Sequence, residues 1–146
     1  MVIALDTSVS MGWTNFQDIR SFLSRLVYHV INNLVMNGCC IPVGLLTYSS
    51  TVHQMSNLSL YTTVAPIQAA ISSFNFSRGA TDTAAALAYV RTTMLTSLEG
   101  ARDHVPKIVI VLTDGKSNDY DATKVHEHTI YTVSRKRVCS ISDINS

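Results

Sequence analysis

The chain has 146 residues, a length that suits one domain with a sizeable hydrophobic core. Apolar residues make up 47% of it and charged residues 14%, a balance that excludes a disordered, highly charged chain. The net charge of +1 argues against general electrostatic binding of nucleic acid, and no run approaches the ~20 apolar residues that a membrane span needs. We therefore expect a globular domain with neither a nucleic-acid partner nor a membrane span.

A short apolar run from Val2 to Leu5 leads directly into Asp6, and hydroxyl residues follow at Ser8 and Ser10. Such a run between polar residues predicts a strand buried on both faces. Asp6 then lies at the carboxyl end of the strand, where open α/β sheets bind ligands. One carboxylate and two neutral oxygens suit a hard cation such as magnesium, but the same residues also suit a Ser/Thr-rich turn that caps the next helix.

The next stretch predicts the longest helix of the chain. Thr14 and Gln17 have the spacing of a capping box, and Gly38 is placed to end the helix. The apolar residues that recur at helical spacing between them are Phe16, Ile19, Phe22, Leu23, Leu26, Val27, Val30, Ile31, Leu34 and Val35. A stripe this wide is typical of a helix packed on a sheet.

Two strands and two helices follow. Residues 42–48 predict a buried strand, and residues 51–55 predict a more exposed antiparallel strand at the sheet edge. Helices are predicted over 63–74 and 83–98, the second with its inward residues at Leu87, Val90, Met94, Leu95 and Leu98. This succession of elements indicates an α/β fold with helices on both faces of the sheet.

A second apolar strand, residues 105–112, ends in Thr113-Asp114-Gly115 and so repeats the design of the first. If the two strands are parallel neighbours, Asp6 and Asp114 reach the same edge of the sheet. Two buried carboxylates side by side repel each other unless a cation lies between them. Thr81, in the polar turn before the helix predicted over 83–98, would bring a third loop to that place.

These five residues resemble the metal-ion-dependent adhesion site of the von Willebrand factor type A domain family, over roughly residues 2–118. The resemblance implies that Ser8, Ser10 and Thr81 contribute hydroxyls to Mg²⁺ (or Mn²⁺ or Ca²⁺), and that Asp6 and Asp114 act directly or through water. It implies a partner protein that supplies an acidic side chain to the ion, with matrix or collagen proteins as candidate partners. Residues 40–48 are similar to the A domains of type VI collagen.

The last part of the chain departs from that family pattern. We expect a domain core over residues 1–118 and a divergent segment over 119–146 that is poorly ordered or forms partial helix and strand. A short helix is predicted over 121–127 and a short strand over 128–133. With the final strand-helix units missing or altered, the doubly wound, mostly parallel sheet would keep one antiparallel edge strand and an uncovered edge beside residues 108–112.

Three functions remain open from the residues. The first is a non-enzymatic adhesion or matrix-assembly module that depends on a divalent metal, and the second is an assembly module that binds partners without metal. The third is a phosphatase of the haloacid-dehalogenase type with Asp6 as nucleophile, but Ser8 stands where that scheme needs a second acid.

The compartment is predicted to be extracellular, as part of a longer protein. Asn57-Leu58-Ser59 and Asn75-Phe76-Ser77 fit the glycosylation acceptor pattern, whereas a signal peptide is not evident in the sequence. The three cysteines, Cys39, Cys40 and Cys139, match no zinc module, and their pairing stays open.

Overall fold

The computed structural model describes residues 1–36, 41–114, 118, 130–134 and 137–138. A six-stranded sheet with the order β3-β2-β1-β4-β5-β6 forms its centre. The strands are β1 (Val2–Asp6), β2 (Gly44–Tyr48), β3 (Val52–Ser56), β4 (Val109–Thr113), β5 (Ile130–Ser134) and β6 (Arg137–Val138). The four inner strands run parallel, and β3 and β6 pair antiparallel at the two edges.

Helices cover both faces of this sheet. The helical segments are α1 (Trp13–Met36), α2 (Val64–Ser72), α3 (Thr83–Tyr89), a π-helical turn (Val90–Met94) and 3-10 turns at Val9–Met11 and Ser97–Glu99. Side chains of β1 alternate between two cores, because successive residues of a strand point to opposite faces. Ile3 and Leu5 pack in the core of α1 and α2, while Val2 and Ala4 pack in the core of α3 and the π turn. The predicted doubly wound α/β fold is confirmed.

Helix α1 differs from its prediction at its start and on one face. It begins at Trp13, so Thr14 lies inside the first turn and is not the N-cap. Phe22 was expected to face inward but is 39% exposed, whereas Leu23 and Val27 are fully buried. One residue turns an α-helix by about 100°, so a stripe that included both Phe22 and Leu23 was too wide for the face that meets the sheet. Gly38 lies outside the described residues.

The third helix is shorter than the sequence indicates. α3 is followed by the π turn and ends at Leu95, whose ψ of 24° departs from helical geometry. Leu98 then lies in a separate 3-10 turn and is 93% exposed, so its predicted inward position is wrong. The extra residue in a π turn shifts the helical register, and apolar spacing alone does not reveal that shift.

The carboxyl-terminal strand changes the expected shape of the sheet. The strand predicted over residues 128–133 is present as β5, which pairs in parallel with β4 from Val109 to Thr113. The uncovered edge expected beside residues 108–112 is therefore wrong, because β4 is an inner strand. The predicted helix over 121–127 and the three cysteines lie outside the described residues. No helix in the described ranges is both long and apolar enough to cross a bilayer.

Single leucine substitutions test which of these side chains are buried in the core. Leu45→Ala on β2, where the side chain is fully buried, should lower the free energy of unfolding by about 2–5 kcal/mol through the cavity it leaves. Leu98→Ala should change it by no more than about 0.5 kcal/mol because that side chain is already in water. Urea denaturation followed by circular dichroism measures both, and a large loss in Leu98→Ala would contradict the observed end of the helix.

Candidate functional site

The carboxyl ends of three parallel strands meet at one edge of the sheet. Asp6 pairs in register with Tyr48, and Leu5 pairs with Leu112. The residues that follow these strands therefore lie side by side where open α/β sheets bind ligands. This placement brings the Asp6 loop next to Thr113 and Asp114, as the sequence predicted.

Asp6 is a fully buried acid held by two hydrogen bonds. Its Oδ1 accepts the backbone N–H of Ser8 at 2.8 Å, and its Oδ2 accepts the hydroxyl of Thr113 at 2.8 Å. Burial raises the pKa of Asp6, these hydrogen bonds lower it in part, and the charge of Asp114 raises it further. The site thus places an acid where its negative charge is costly without a nearby cation.

Three hydroxyls form a continuous chain beside this acid. Ser8 Oγ lies 3.0 Å from Ser10 Oγ, and Ser10 Oγ lies 3.2 Å from Thr81 Oγ1. Ser8 and Thr81 are buried, while Ser10 is exposed. The cluster therefore has a protein side and a solvent side, and the solvent side is open at Ser10.

The structure thus places all five predicted residues at one edge of the sheet. The three hydroxyl residues are joined directly, and Asp6 is adjacent to them through the Ser8 backbone. Asp114, half-buried, follows Thr113 and is close enough to Asp6 to influence its pKa. Their role as metal ligands stays a prediction.

The donor set explains why the site lacks the usual signature of a metal centre. Within the described ranges, no three His, Cys, Asp or Glu side chains group together as metal ligands do. The five side chains offer carboxylate and hydroxyl oxygens without nitrogen or sulfur. Hard cations take such ligands, so the residues fit magnesium or a similar ion.

Backbone hydrogen bonds fix the loop that carries Thr81 against the Asp6 loop. Arg78 donates its N–H to Thr7 O at 3.0 Å, and Val9 donates its N–H to Gly79 O at 3.0 Å. On the other side of Thr81, Asp82 donates its N–H to Ser49 O at 3.0 Å. Thr81 therefore sits between two anchored points, which sets the position of its hydroxyl.

Gly79 permits the close approach of this loop to the turn after β2. A Cβ built at Gly79 would lie 2.9 Å from the backbone nitrogen of Ser50 and 2.7 Å from its Oγ. The next residue, Ala80, donates its N–H to the same Ser50 Oγ at 2.8 Å. Any side chain at position 79 would push the loop, and with it Thr81, away from the sheet.

Several residues of the site were missed by the sequence analysis. Thr113 holds Asp6, and Ser77 bridges the loops through hydrogen bonds to Thr7 Oγ1 and, at 3.0 Å, to Ser49 Oγ. Tyr48 lies beneath them with its hydroxyl 3.4 Å from Thr83 Oγ1, and burial raises the pKa of Tyr48. The signal for Ser49 was available, because it directly follows a predicted parallel strand and so had to reach the same edge.

The comparison with protein families identifies the family of the chain. The model of the von Willebrand factor type A domain matches residues 1–134 of the chain. The chain belongs to the von Willebrand factor type A domain family. The match includes β5, beyond the boundary at residue 118 that the sequence analysis expected for the core.

The similar proteins of this family include collagens and matrilins. The chain is 33% identical over 121 residues to the collagen alpha-4(VI) chain of Mus musculus, a match that covers 82% of this chain and 5% of that protein. It is 36% identical over 126 residues to matrilin-1 of Homo sapiens, covering 85% of this chain and 25% of matrilin-1. The chain thus spans a quarter or less of the length of these relatives.

Solved structures with the same fold include proximal thread matrix protein 1 from the mussel byssus. One crystal form has a TM-score of 0.76 and 26% identity, over 91% of this chain and 36% of the mussel chain. Another structure of that protein, with a TM-score of 0.74 and 25% identity, has its metal-ion-dependent adhesion motif occupied by zinc. A divalent metal at this motif is therefore known in a structural neighbour.

Gly79→Ala tests whether the loop contact positions Thr81. The new Cβ meets the backbone nitrogen of Ser50, so we expect a displaced loop. If the site binds magnesium as predicted, the affinity measured by calorimetry should be at least about 10-fold weaker. Gly44→Ala is a matched control at the other end of β2, where the Cβ would meet the flexible end of Met94 at 2.9 Å. It should affect stability but not magnesium affinity. Equal loss in both variants would show a general effect of packing.

Proposed function

We propose that this domain is a non-enzymatic protein-binding module that captures an acidic side chain of its partner through a divalent metal. The observation that carries the proposal is the hydroxyl chain of Ser8, Ser10 and Thr81 beside the buried carboxylate of Asp6. These hydroxyls come from two loops that meet at the carboxyl edge of the sheet. Each of these hydroxyls is hydrogen-bonded to another of the three. A cation bound among them could therefore accept their oxygen lone pairs in place of those bonds, without unfolding either loop.

The protein's part in metal binding divides between neutral and charged groups. Ser8, Ser10 and Thr81 would offer hydroxyl oxygens, and Asp6 and Asp114 would offer carboxylates directly or through water. When bound, the ion would supply positive charge and one open coordination position on the solvent side, near Ser10. The three neutral hydroxyl ligands would not reduce that charge, so the attraction for a carboxylate of the partner would be greatest where Asp6 and Asp114 act through water.

The donor atoms favour magnesium or manganese. Zinc prefers nitrogen and sulfur ligands, which none of the five side chains supplies. Calcium takes six to eight oxygens, more than five side chains provide without several waters. The zinc found in the mussel protein supports a divalent ion at this motif, and our choice of magnesium rests on the ligand atoms.

The setting we propose is the extracellular matrix, within a longer protein. The relatives are named as collagens and matrilins, and the structural neighbour is named a thread matrix protein. The acceptor asparagine at position 75 is exposed on the loop after α2, and Asn57 is half-buried with its Oδ1 accepting the N–H of Ser59 at 3.0 Å. Matrix or collagen proteins are therefore the partners we propose first.

The phosphatase alternative has no support from the site. Its general acid would stand two residues after Asp6, and that position holds Ser8, whose hydroxyl is engaged with Ser10. Asp6 itself accepts two hydrogen bonds and is fully buried, so its oxygens are poorly placed to attack a substrate.

Magnesium should stabilise the folded protein through this site. At a free concentration 100 times the dissociation constant, the free energy of unfolding should rise by about 2.7 kcal/mol, seen as a higher melting temperature by calorimetry. Asp114→Ala and Ser10→Ala should abolish the rise. Thr92→Ala is the control and should retain the rise, because Thr92 is an exposed residue of the π turn whose hydroxyl donates to Ala88 O. A rise of equal size in Asp114→Ala would refute the proposed metal site.

Metal-independent assembly predicts a different response to chelation. We expect the immobilised domain to capture a matrix preparation of collagens and matrilins in magnesium and to release at least about nine-tenths of it in EDTA. Asp114→Ala should capture as little in magnesium as the native domain does in EDTA. Capture that persists in EDTA and in Asp114→Ala would favour assembly through another surface.

A further inference from the structure

Three aromatic rings pack against one another in tilted and edge-on arrangements, near the candidate metal site. Trp13, the first residue of α1, has its ring centroid 5.8 Å from that of Phe16 and 5.9 Å from that of Phe76, and the last two rings lie 5.4 Å apart. Phe16 is fully buried, but Trp13 is 54% exposed. The buried ring thus forms a base that holds the tryptophan in place at the surface. Tryptophan is one of the side chains enriched in binding hot spots, and this one is both accessible and packed against neighbouring rings.

Arginine side chains flank these rings. The guanidinium carbon of Arg78 lies 5.9 Å from the Phe76 ring centroid, and that of Arg20 lies 5.6 Å from the Phe16 centroid. Arg20 donates to the carbonyl of Ser72 at 3.1 Å and to Gln17 Oε1 at 2.7 Å, so its role is within the domain. Arg78 is exposed and lies on the loop that carries Thr81. It therefore adds positive charge to the same side of the molecule as the proposed cation.

Chain connectivity and hydrogen bonds place Val9 and Arg78 on the two loops of the hydroxyl cluster, and Arg78 in turn contacts the Phe76 ring. Val9, 62% exposed, stands between Ser8 and Ser10 and donates its N–H to Gly79 O. Arg78 has a φ of 59°, a left-handed conformation that is unfavourable for a side-chain-bearing residue. Its N–H bond to Thr7 O, at 3.0 Å, holds that conformation at the junction of the two loops.

We propose that Val9, Trp13 and Arg78 form a specificity surface for a partner segment in which a large apolar residue neighbours the metal-binding acid and a second acid follows. Trp13 and Val9 receive the apolar side chain, and Arg78 receives the second acid. This inference rests on the proposed function and names the partner sequence that the same site selects. Charge complementarity favours an acidic segment, because the cation and Arg78 both present positive charge.

Selection from a random peptide library tests this surface. A display library of ten-residue peptides is selected on the native domain in magnesium, and peptides eluted with EDTA are sequenced. We expect enrichment of Asp or Glu with Phe, Trp, Leu or Met beside it, and a second acid nearby. Elution of peptides without an apolar neighbour, or failure to enrich any sequence, would overturn the proposal.

Variants assign each preference to its residue. Trp13→Ala should weaken binding of the best selected peptide about 10-fold or more and remove its preference for an apolar neighbour, while Trp13→Phe should retain much of both. Arg78→Gln should remove the preference for the second acid. The controls are Tyr28→Ala, a half-exposed aromatic about four turns further along α1, and Arg91→Gln, an exposed arginine in the π turn. Both controls should bind like the native domain, and unchanged selectivity in Trp13→Ala would refute the assignment.

Two further measurements separate this inference from the proposal beneath it. Magnesium should stabilise Trp13→Ala as much as it stabilises the native domain. If magnesium does not stabilise the native domain, the proposed metal site itself is refuted. If stabilisation is present and selectivity does not depend on Trp13, the specificity surface alone is refuted. Sedimentation over a range of concentrations should show a monomer, and a dimer lost in Trp13→Ala would instead make a second copy of the domain the occupant.

Discussion

A carboxylate buried at the end of the central strand is the constraint that the rest of this domain serves. Asp6 is fully removed from solvent, and its oxygens are held by the Ser8 amide and the Thr113 hydroxyl. Burying a charge is costly unless hydrogen bonds and a counter-charge accompany it. The loop after β1 and the neighbouring strand β4 supply the hydrogen bonds, and the proposed cation would supply the counter-charge. The design of the loops follows from that need, since each of them brings oxygens or backbone N–H groups to the same place.

The loops are held by one another more than by their own local structure. Thr7, Ser49 and Ser77 join three loops through side-chain and backbone hydrogen bonds, and Gly79 allows two of the loops to touch. A network of this kind fixes the loops relative to one another, as the proposed metal site requires of the hydroxyls that would bind the ion. The aromatic base under Trp13 extends the same principle to the surface, where Phe16 and Phe76 fix a ring that would otherwise be mobile.

Much of the fold was predictable because its signals are periodic and local. The buried strands β1 and β4 appear as short apolar runs that end in acids, and α1 appears as a long apolar stripe. The errors came where the backbone departs from ideal periodicity. The π turn before Leu95 places Leu98 in water. Helix α1 follows Gly12, which has a positive φ, and begins at Trp13 instead of after Thr14. The sequence predicted the strand β5. Its pairing with β4 joins distant parts of the chain, and a single sequence contains little information on such pairing.

The sequence indicated the five residues of the candidate site, but not the residues that hold them in position. Asp6, Ser8, Ser10, Thr81 and Asp114 stand out because acids and hydroxyls directly follow apolar runs or open helices. Thr113 and Ser77 do not stand out, because a hydroxyl that orients another residue has no sequence pattern of its own. Their partners are set by the packing of loops that are distant in the chain, from 28 residues apart for Ser77 and Ser49 to 107 for Thr113 and Asp6.

The antiparallel strands at the two edges of the sheet have a consequence for how the domain meets a neighbouring copy. Each edge is closed by an antiparallel strand, and β6 at one of them has two residues. Within the described residues, a strand as short as β6 offers few unpaired backbone groups to another chain, which disfavours strand exchange at that edge. Contact between copies of the domain at this edge would therefore have to come from side chains and not from the backbone.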